Sequence, residues 1–217
     1  MYQPPHFRED RLEIQHALIK AHPLGLLINS GEDGPNANAI PFLLDAQASP
    51  KGTLFAHVAR ANPQWRQLAN DGRVLIVFQG SQTYVTPSWY ATKQETGKVV
   101  PTWNYAIVQV RGTARIIEDR DWLKHHVSQL TARNEAPRAA PWAVDDAPET
   151  YIDAQLKGIV GIEIEIGVIE GKWKVSQNRP ENDRTGVADG LEADEDTAEA
   201  RAMARLVRRG GAVNSPN

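Results

Sequence analysis

Cysteine is absent from the 217-residue chain, which removes disulfide frameworks, thiolate nucleophiles, iron–sulfur clusters and Cys-ligated zinc. No apolar run approaches the roughly 20 residues of a membrane span. The N-terminal stretch MYQPPHFRED lacks the basic start and apolar core of a secretory signal, so the expected location is cytoplasmic, without a membrane partner. Basic excess is missing as well. With 24 Lys and Arg against 27 Asp and Glu, the formal net charge is -3, and no global field exists to hold nucleic acid or an anionic membrane. Any DNA contact would need a local patch. The G-x-S-x-G, Walker, G-x-G-x-x-G and H-E-x-x-H signatures do not occur, and no internal repeat is visible. What remains is 41% hydrophobic and 24% charged residues, the balance of an ordinary globular chain with a sizeable core.

The hydrophobic period then assigns elements. Ile14, Leu18 and Ala21 recur at helical spacing over residues 9–21, and Pro23 stops the run. Residues 24–29, 37–44 and 53–58 read as strands of an antiparallel meander, the first two joined by a Gly- and Asp-rich turn at 30–35. Asn62 and Pro63 open a short helix. The apolar run RVLIVF at 73–78 predicts a strand buried on both faces, at the barrel centre. Residues 80–101 have no helical period and read as a long loop. Residues 103–117 form another strand, in which Gly112 marks a bulge or a close approach. From Asp119 a helix carries Leu123, His126, Val127 and Leu130 on one stripe, and Asp146 with Glu149 reads as a capping box for the next helix. Ile162, Ile164 and Ile166 alternate with glutamates, and a turn at Glu170-Gly171 leads into a strand over 172–177. The acids Glu192, Asp194, Glu195, Asp196 and Glu199 precede a terminal helix with Arg201, Arg205, Arg208 and Arg209, its Ala198, Ala202 and Leu206 on one side. The sum is a mainly β chain with α insertions, an antiparallel barrel flanked by helices.

The stretch TLFAHVARANPQW at 53–65 offers the clearest chemistry. Arg60 stands just past a strand end and a helix begins near Asn62, so a guanidinium and a helix start face one space, as a phosphate requires. The alternative is equally open: Arg60 in a surface ion pair and Asn62 as a cap. His57 reads as a structural histidine more readily than a catalytic one. Tyr84, Trp89, Tyr90, Trp103, Asn104 and Tyr105 either wall a planar ligand or pack the sheet. Lys172, Lys174, Gln177, Asn178 and Arg179 form a basic strand end, which edge protection alone would explain. The histidines are scattered and the adjacent His125 and His126 diverge on a helix, so no metal site is expected.

Several strings fall into one register: MYQPPHF at 1–7, HPLGLLIN at 22–29, IPFLLD at 40–45, HVARANPQW at 57–65, VFQGSQTYVTPSWY at 77–90, VVPTWNYAIV at 99–108, IVGIEIEI at 159–166 and EGKWKVSQNR at 170–179. Together they resemble the PaiB family of FMN-binding negative transcriptional regulators. The resemblance covers residues 1–191, leaving 192–217 as a charged helix and tail. It implies an FMN-binding split β-barrel, similar to pyridoxamine phosphate oxidase, assembled as a homodimer with flavin at the subunit interface. It places Asn38, Ala39, Ile40 and Pro41 along the flavin and gives the phosphate to Arg60 and Asn62, with His57 and Ala59 beside them. Trp103, Asn104, Lys174 and Gln177 fall on the far side of the site, from either subunit. Related split barrels bind or degrade haem, an alternative to which His6, His22 and His57 would contribute. Ala39, Gln109 and Asn134 stand where many relatives have histidine, and Ser81 and Ala91 where prolines are common. No residue stands out as a general acid or base, so the resemblance implies redox chemistry carried by the cofactor, or regulation without turnover.

Overall fold

The computed structural model describes residues 1–31, 34–194 and 197–210. Glu32 and Asp33 of the expected turn, and Glu195 and Asp196 of the acidic run, lie outside the described residues. In chain order the elements are β1 (Arg8–Glu9), α1 (Leu12–Ala21), β2 (Leu24–Gly31), β3 (Gly34–Pro41), β4 (Leu43–Asp45), β5 (Thr53–Ala59), α2 (Gln64–Asn70) and β6 (Arg73–Val85). They continue with α3 (Ala91–Thr96), β7 (Thr102–Ile117), α4 (Arg120–Glu135), α5 (Glu149–Lys157), β8 (Ile159–Lys174), α6 (Glu181–Asp194) and α7 (Ala198–Arg208). The strands form one eight-stranded sheet in the order β3-β2-β6-β7-β8-β5-β4, with β1 added on β8; the sheet does not close. The pairs β1–β8, β2–β3, β2–β6, β4–β5 and β5–β8 are antiparallel, so the expected mainly β architecture is found.

The chain divides into two compact units. The first, called unit 1, comprises Met1–His22, Phe78–Gln109 and the described residues from Glu170 onward; unit 2 comprises Pro23–Val77 and Val110–Ile169. In unit 2, β2 and β3 make a hairpin from Leu24↔Pro41 to Gly31↔Gly34, and β5 pairs with β8 from Thr53↔Glu165 to Ala59↔Ile159. Period-two alternation sends Leu27, Leu54, Ile76, Ile162 and Ile164 inward, all fully buried. Leu123, Val144, Ile152 and Leu156 form a further cluster that binds α4 to α5. Gly112 is the predicted close approach: a Cβ there would lie 2.3 Å from the Glu165 carbonyl oxygen.

In unit 1, α1 buries Ile14, Leu18 and Ile19, and α7 buries Ala200, Met203, Ala204 and Val207. Trp89 packs on α6, where its backbone oxygen would stand 2.1 Å from a Cβ on Gly186 and its indole 2.4 Å from one on Gly190.

Several expectations are corrected. The first helix starts at Leu12, because Arg8 and Glu9 pair as strand with Lys172 and Gly171. Phe42 interrupts the expected strand 37–44, separating β3 from β4. The run 73–78 is not dry on both faces: Val74, Ile76 and Phe78 are buried while Leu75 and Val77 are half-exposed, and the strand continues to Val85. The expected long loop therefore holds the end of β6, a 3-10 turn at Pro87–Trp89 and α3. Asp146 accepts from the Ala143 N–H at 2.8 Å instead of capping α5, whose cap position is Pro148. Residues 159–174 are one strand without a turn at Gly171. The apolar stripe of α7 is turned from the expected one, since Ala198 is exposed. At the lysine end of β8 the strand β1 is added, with Arg8 opposite Lys172, so Lys172 does not protect an edge.

Candidate functional site

Arg60 leaves β5 with its backbone N–H on the Gly158 carbonyl, 2.7 Å away. Its guanidinium donates from Nε to the Lys157 carbonyl at 2.9 Å and from Nη2 to the Ile159 carbonyl at 3.2 Å, and Nη1 meets the Glu118 carboxylate. Two backbone oxygens thus fix the plane of the cation. Glu118 is itself 54% exposed and Arg60 37% exposed, a surface ion pair worth at most about 1 kcal/mol. Asn62 is the cap of the following turn: its Oδ1 accepts from the Gln64 N–H at 2.9 Å. The helix that follows, α2, has only seven residues, too short for its N-terminus to serve as an anion site, so the anion-binding case rests on Arg60.

The hairpin beside it is organised by a residue that the sequence reading missed. Gln64, fully buried, donates from Nε2 to the Leu27 carbonyl and to Asn29 Oδ1, and accepts from Asn38 Nδ2 at 3.0 Å. The N-P-Q-W string held its only signal, a polar residue two past the cap. Strand alternation then divides the four hairpin candidates. Asn38 is committed to Gln64 and Ile40 is in the core, while Ala39 and Pro41 are exposed. Across the register Leu24 and Leu26, 64% and 39% exposed, oppose Pro41 and Ala39. The result is an exposed apolar face of two leucines, an alanine and a proline.

His57 shares a face of β5 with Phe55, and both rings meet α4. Phe55 packs on Trp122, and His57 Nδ1 lies 3.1 Å from His126 Nε2. Trp122 stacks on the His126 ring at 5.3 Å. Burial pushes the His57 imidazole down, and burial reinforced by His57 and His125 pushes His126 down to about 4. Both rings are neutral near pH 7, and one donates to the other. Ala59 is exposed at the strand end. Of the other histidines considered for haem, His6 packs edge-on against Phe7, and burial lowers the His22 imidazole. No group of three or more potential metal ligands occurs among the described residues.

The remaining candidates belong to unit 1. Asn104, buried, exchanges hydrogen bonds with Ser176, Nδ2 to Oγ at 2.9 Å and Oγ to Oδ1 at 3.3 Å. Ser176 has φ 64°, the left-handed region that a non-glycine residue rarely adopts. Gln177 holds this turn by accepting from the Val175 N–H at 2.8 Å and donating to the Trp173 carbonyl. Its amide thus bonds the backbone on either side of the turn. Lys174 donates to Thr102 Oγ1 and the Trp103 carbonyl. Of the aromatic group, Tyr90 is buried and Trp89 packs on α6. Tyr84 and Trp103 stay exposed as an edge-on pair 6.1 Å apart. On the terminal helix, Arg208 is bound to Asp189 and Glu192, so the basic stripe is partly neutralised.

A family profile described as "Putative FMN-binding domain" matches residues 1–167. A protein of Emericella nidulans, described as uncharacterized protein AN0679, is 34% identical over 97% of this chain and 98% of its own length. The Bacillus subtilis protease synthase and sporulation protein PAI 2 is 30% identical over 95% and 96%. Among solved structures, the Mycobacterium tuberculosis conserved hypothetical protein Rv2991 superposes with a TM-score of 0.58 at 16% identity, covering 83% of this chain and 94% of that one. The Azotobacter vinelandii flavocytochrome Anf3 gives 0.56 at 14% identity over 77% and 69%. At these identities the structures establish the fold, the split barrel that the sequence resemblance implies.

Proposed function

Because the chain belongs to the FMN-binding family whose profile spans residues 1–167, we propose that it works as a flavin-carrying homodimer and that unit 2 holds the cofactor. Its cofactor is FMN. The observation that carries the reading is the oriented cation at Arg60, fixed by the Lys157 and Ile159 carbonyls and closed off only by an exposed carboxylate. A phosphate monoester, more highly charged and able to accept two parallel N–H bonds, is the stronger partner and displaces Glu118. The exposed Ala39 and Pro41 permit the close, flat approach that an isoalloxazine ring requires, so these residues fit the group. Asn38, Ile40 and Asn62 hold the hairpin and loop that carry them, and His57 and Ala59 complete the strand end.

Bound FMN supplies electron transfer at its ring. The chain's residues supply orientation: Arg60 anchors the tail, Gln64 keeps the hairpin in register, and the neutral His57–His126 pair keeps β5 against α4. The apolar face of Leu24, Leu26, Ala39 and Pro41 supports dimerisation, since a second copy would cover it. A regulatory role, which the resemblance to the PaiB family implies, is proposed to act through the flavin-loaded dimer. The ion pairs on Arg208 take one arginine of the terminal basic stripe away from DNA.

The test is an absorbance spectrum of protein purified without added cofactor, followed by mass identification of what is released and by FMN titration. A flavin spectrum and released or restored FMN are expected. No spectral or fluorescence change with FMN, at protein well above micromolar, would overturn the reading.

A further inference from the structure

Unit 1 contains a pocket of about 120 Å³ whose lining includes Tyr90, Thr102, Asn104, Lys174, Ser176 and Arg179. Asn104 and Ser176 bond each other and Lys174 donates to Thr102 Oγ1, but the set is not closed. The Tyr90 hydroxyl, in a residue only 2% exposed, has no partner at ordinary hydrogen-bond distance, a costly state for a buried donor, and Arg179 is the polar group that bears on it most directly. The Arg179 guanidinium lies 4.7 Å from the centre of the Tyr90 ring, and Lys174 reaches the same space. Among the described residues neither cation is in an ion pair, and no carboxylate lines the pocket. The nearest acid acting on Tyr90 is Asp183, whose two oxygens are taken by the Thr92 N–H at 2.9 Å and Oγ1 at 3.0 Å.

The backbone is bent to make this arrangement. Ser176 sits in the left-handed region, locked by Asn104 and Gln177, and the turn closes with the Arg179 N–H on the Ser176 carbonyl at 2.9 Å. Strain of that kind persists where the surroundings enforce it, and here it returns Arg179 over the ring. Like charges are brought together as a consequence: burial, then Lys172 and Arg179, lower the Lys174 ammonium.

We infer that this pocket is an oxyanion site, in which Lys174 and Arg179 take the charge of a phosphate or carboxylate group and the Tyr90 hydroxyl donates to one of its oxygens. A pocket of about 120 Å³ admits such a group. The oxyanion therefore belongs to a small molecule or is the exposed end of a larger one, and the FMN phosphate is the second possible source.

The experiment titrates inorganic phosphate, with acetate in parallel, into the flavin-free full chain by calorimetry. Saturable millimolar or tighter binding is expected for at least one anion. Lys174→Gln and Arg179→Gln should each weaken it roughly tenfold or more, and Tyr90→Phe, which keeps the ring and its packing, several-fold. Arg60→Ala removes any phosphate bound at the β5 end, so the binding that persists in that variant and is weakened by the pocket substitutions belongs to this site. Absence of binding by both anions, or binding that ignores all three pocket variants, overturns the site. An FMN arm separates the sources. If phosphate competes with FMN and Arg179→Gln abolishes the preference for FMN over riboflavin, the flavin tail is the occupant. If FMN binding ignores both, the site takes a separate anionic molecule. Because the phosphate measurement uses flavin-free protein, its failure is distinct from failure of the flavin reading.

Discussion

Two carbonyl oxygens hold the Arg60 guanidinium in plane while an exposed carboxylate holds only its edge. A bound phosphate must replace that carboxylate, so Glu118→Gln should tighten FMN binding about two- to fivefold, the worth of an exposed pair; isothermal titration reads it directly. The His57–His126 pair makes a prediction of the opposite chemical kind. His126 is held down to about 4, against an ordinary value near 6.5. Between those values the unfolded chain binds more protons than the folded one, so stability is full above pH 6.5 and falls as pH drops toward 4. The loss amounts to about 3 kcal/mol at most for His126. Urea midpoints measured from pH 7.5 to 4.5 should show this slope, and His126→Gln should flatten it. Of these residues the sequence made Arg60 legible, because a cation past a strand end is a local pattern. Glu118, Gln64 and His126 were not legible as its neighbours or partners, because each acts across a fold whose register a single sequence does not display.

At the scale of elements, the sharpest case is α6 against Trp89. Glycine normally weakens a helix, and replacing it by alanine in an exposed turn gains up to about 1 kcal/mol. At Gly190 the added Cβ would stand 2.4 Å from the indole. Gly190→Ala is therefore expected to destabilise by about 1–3 kcal/mol through overpacking, with a changed tryptophan emission, in chemical denaturation. The same glycines hid this helix from sequence reading: a segment with Gly186 and Gly190 lacks the propensity of a helix, and its reason lies in the ring it receives. Strand β6 was read short for a related reason. Beyond Phe78 its buried positions are Gly80, Thr83 and Val85, a mixture without an apolar signature. By contrast Ile162, Ile164 and Ile166 showed their strand plainly, because one dry face alternates with glutamates.

For the whole molecule, the open question that the geometry raises is what covers the exposed Leu24 and Leu26 beside Ala39 and Pro41. A second copy is the proposed answer, and Leu26→Glu should shift sedimentation from dimer to monomer with loss of most flavin affinity. A monomeric wild-type chain would contradict it. The central claim is that FMN is held through its phosphate by Arg60, and the most direct measurement compares FMN with riboflavin on the wild-type chain and on Arg60→Ala. The account predicts that wild type prefers FMN by roughly tenfold or more and that the variant loses most of this preference while still binding riboflavin. Equal affinities in the wild type, or a preference unchanged in Arg60→Ala, would contradict it.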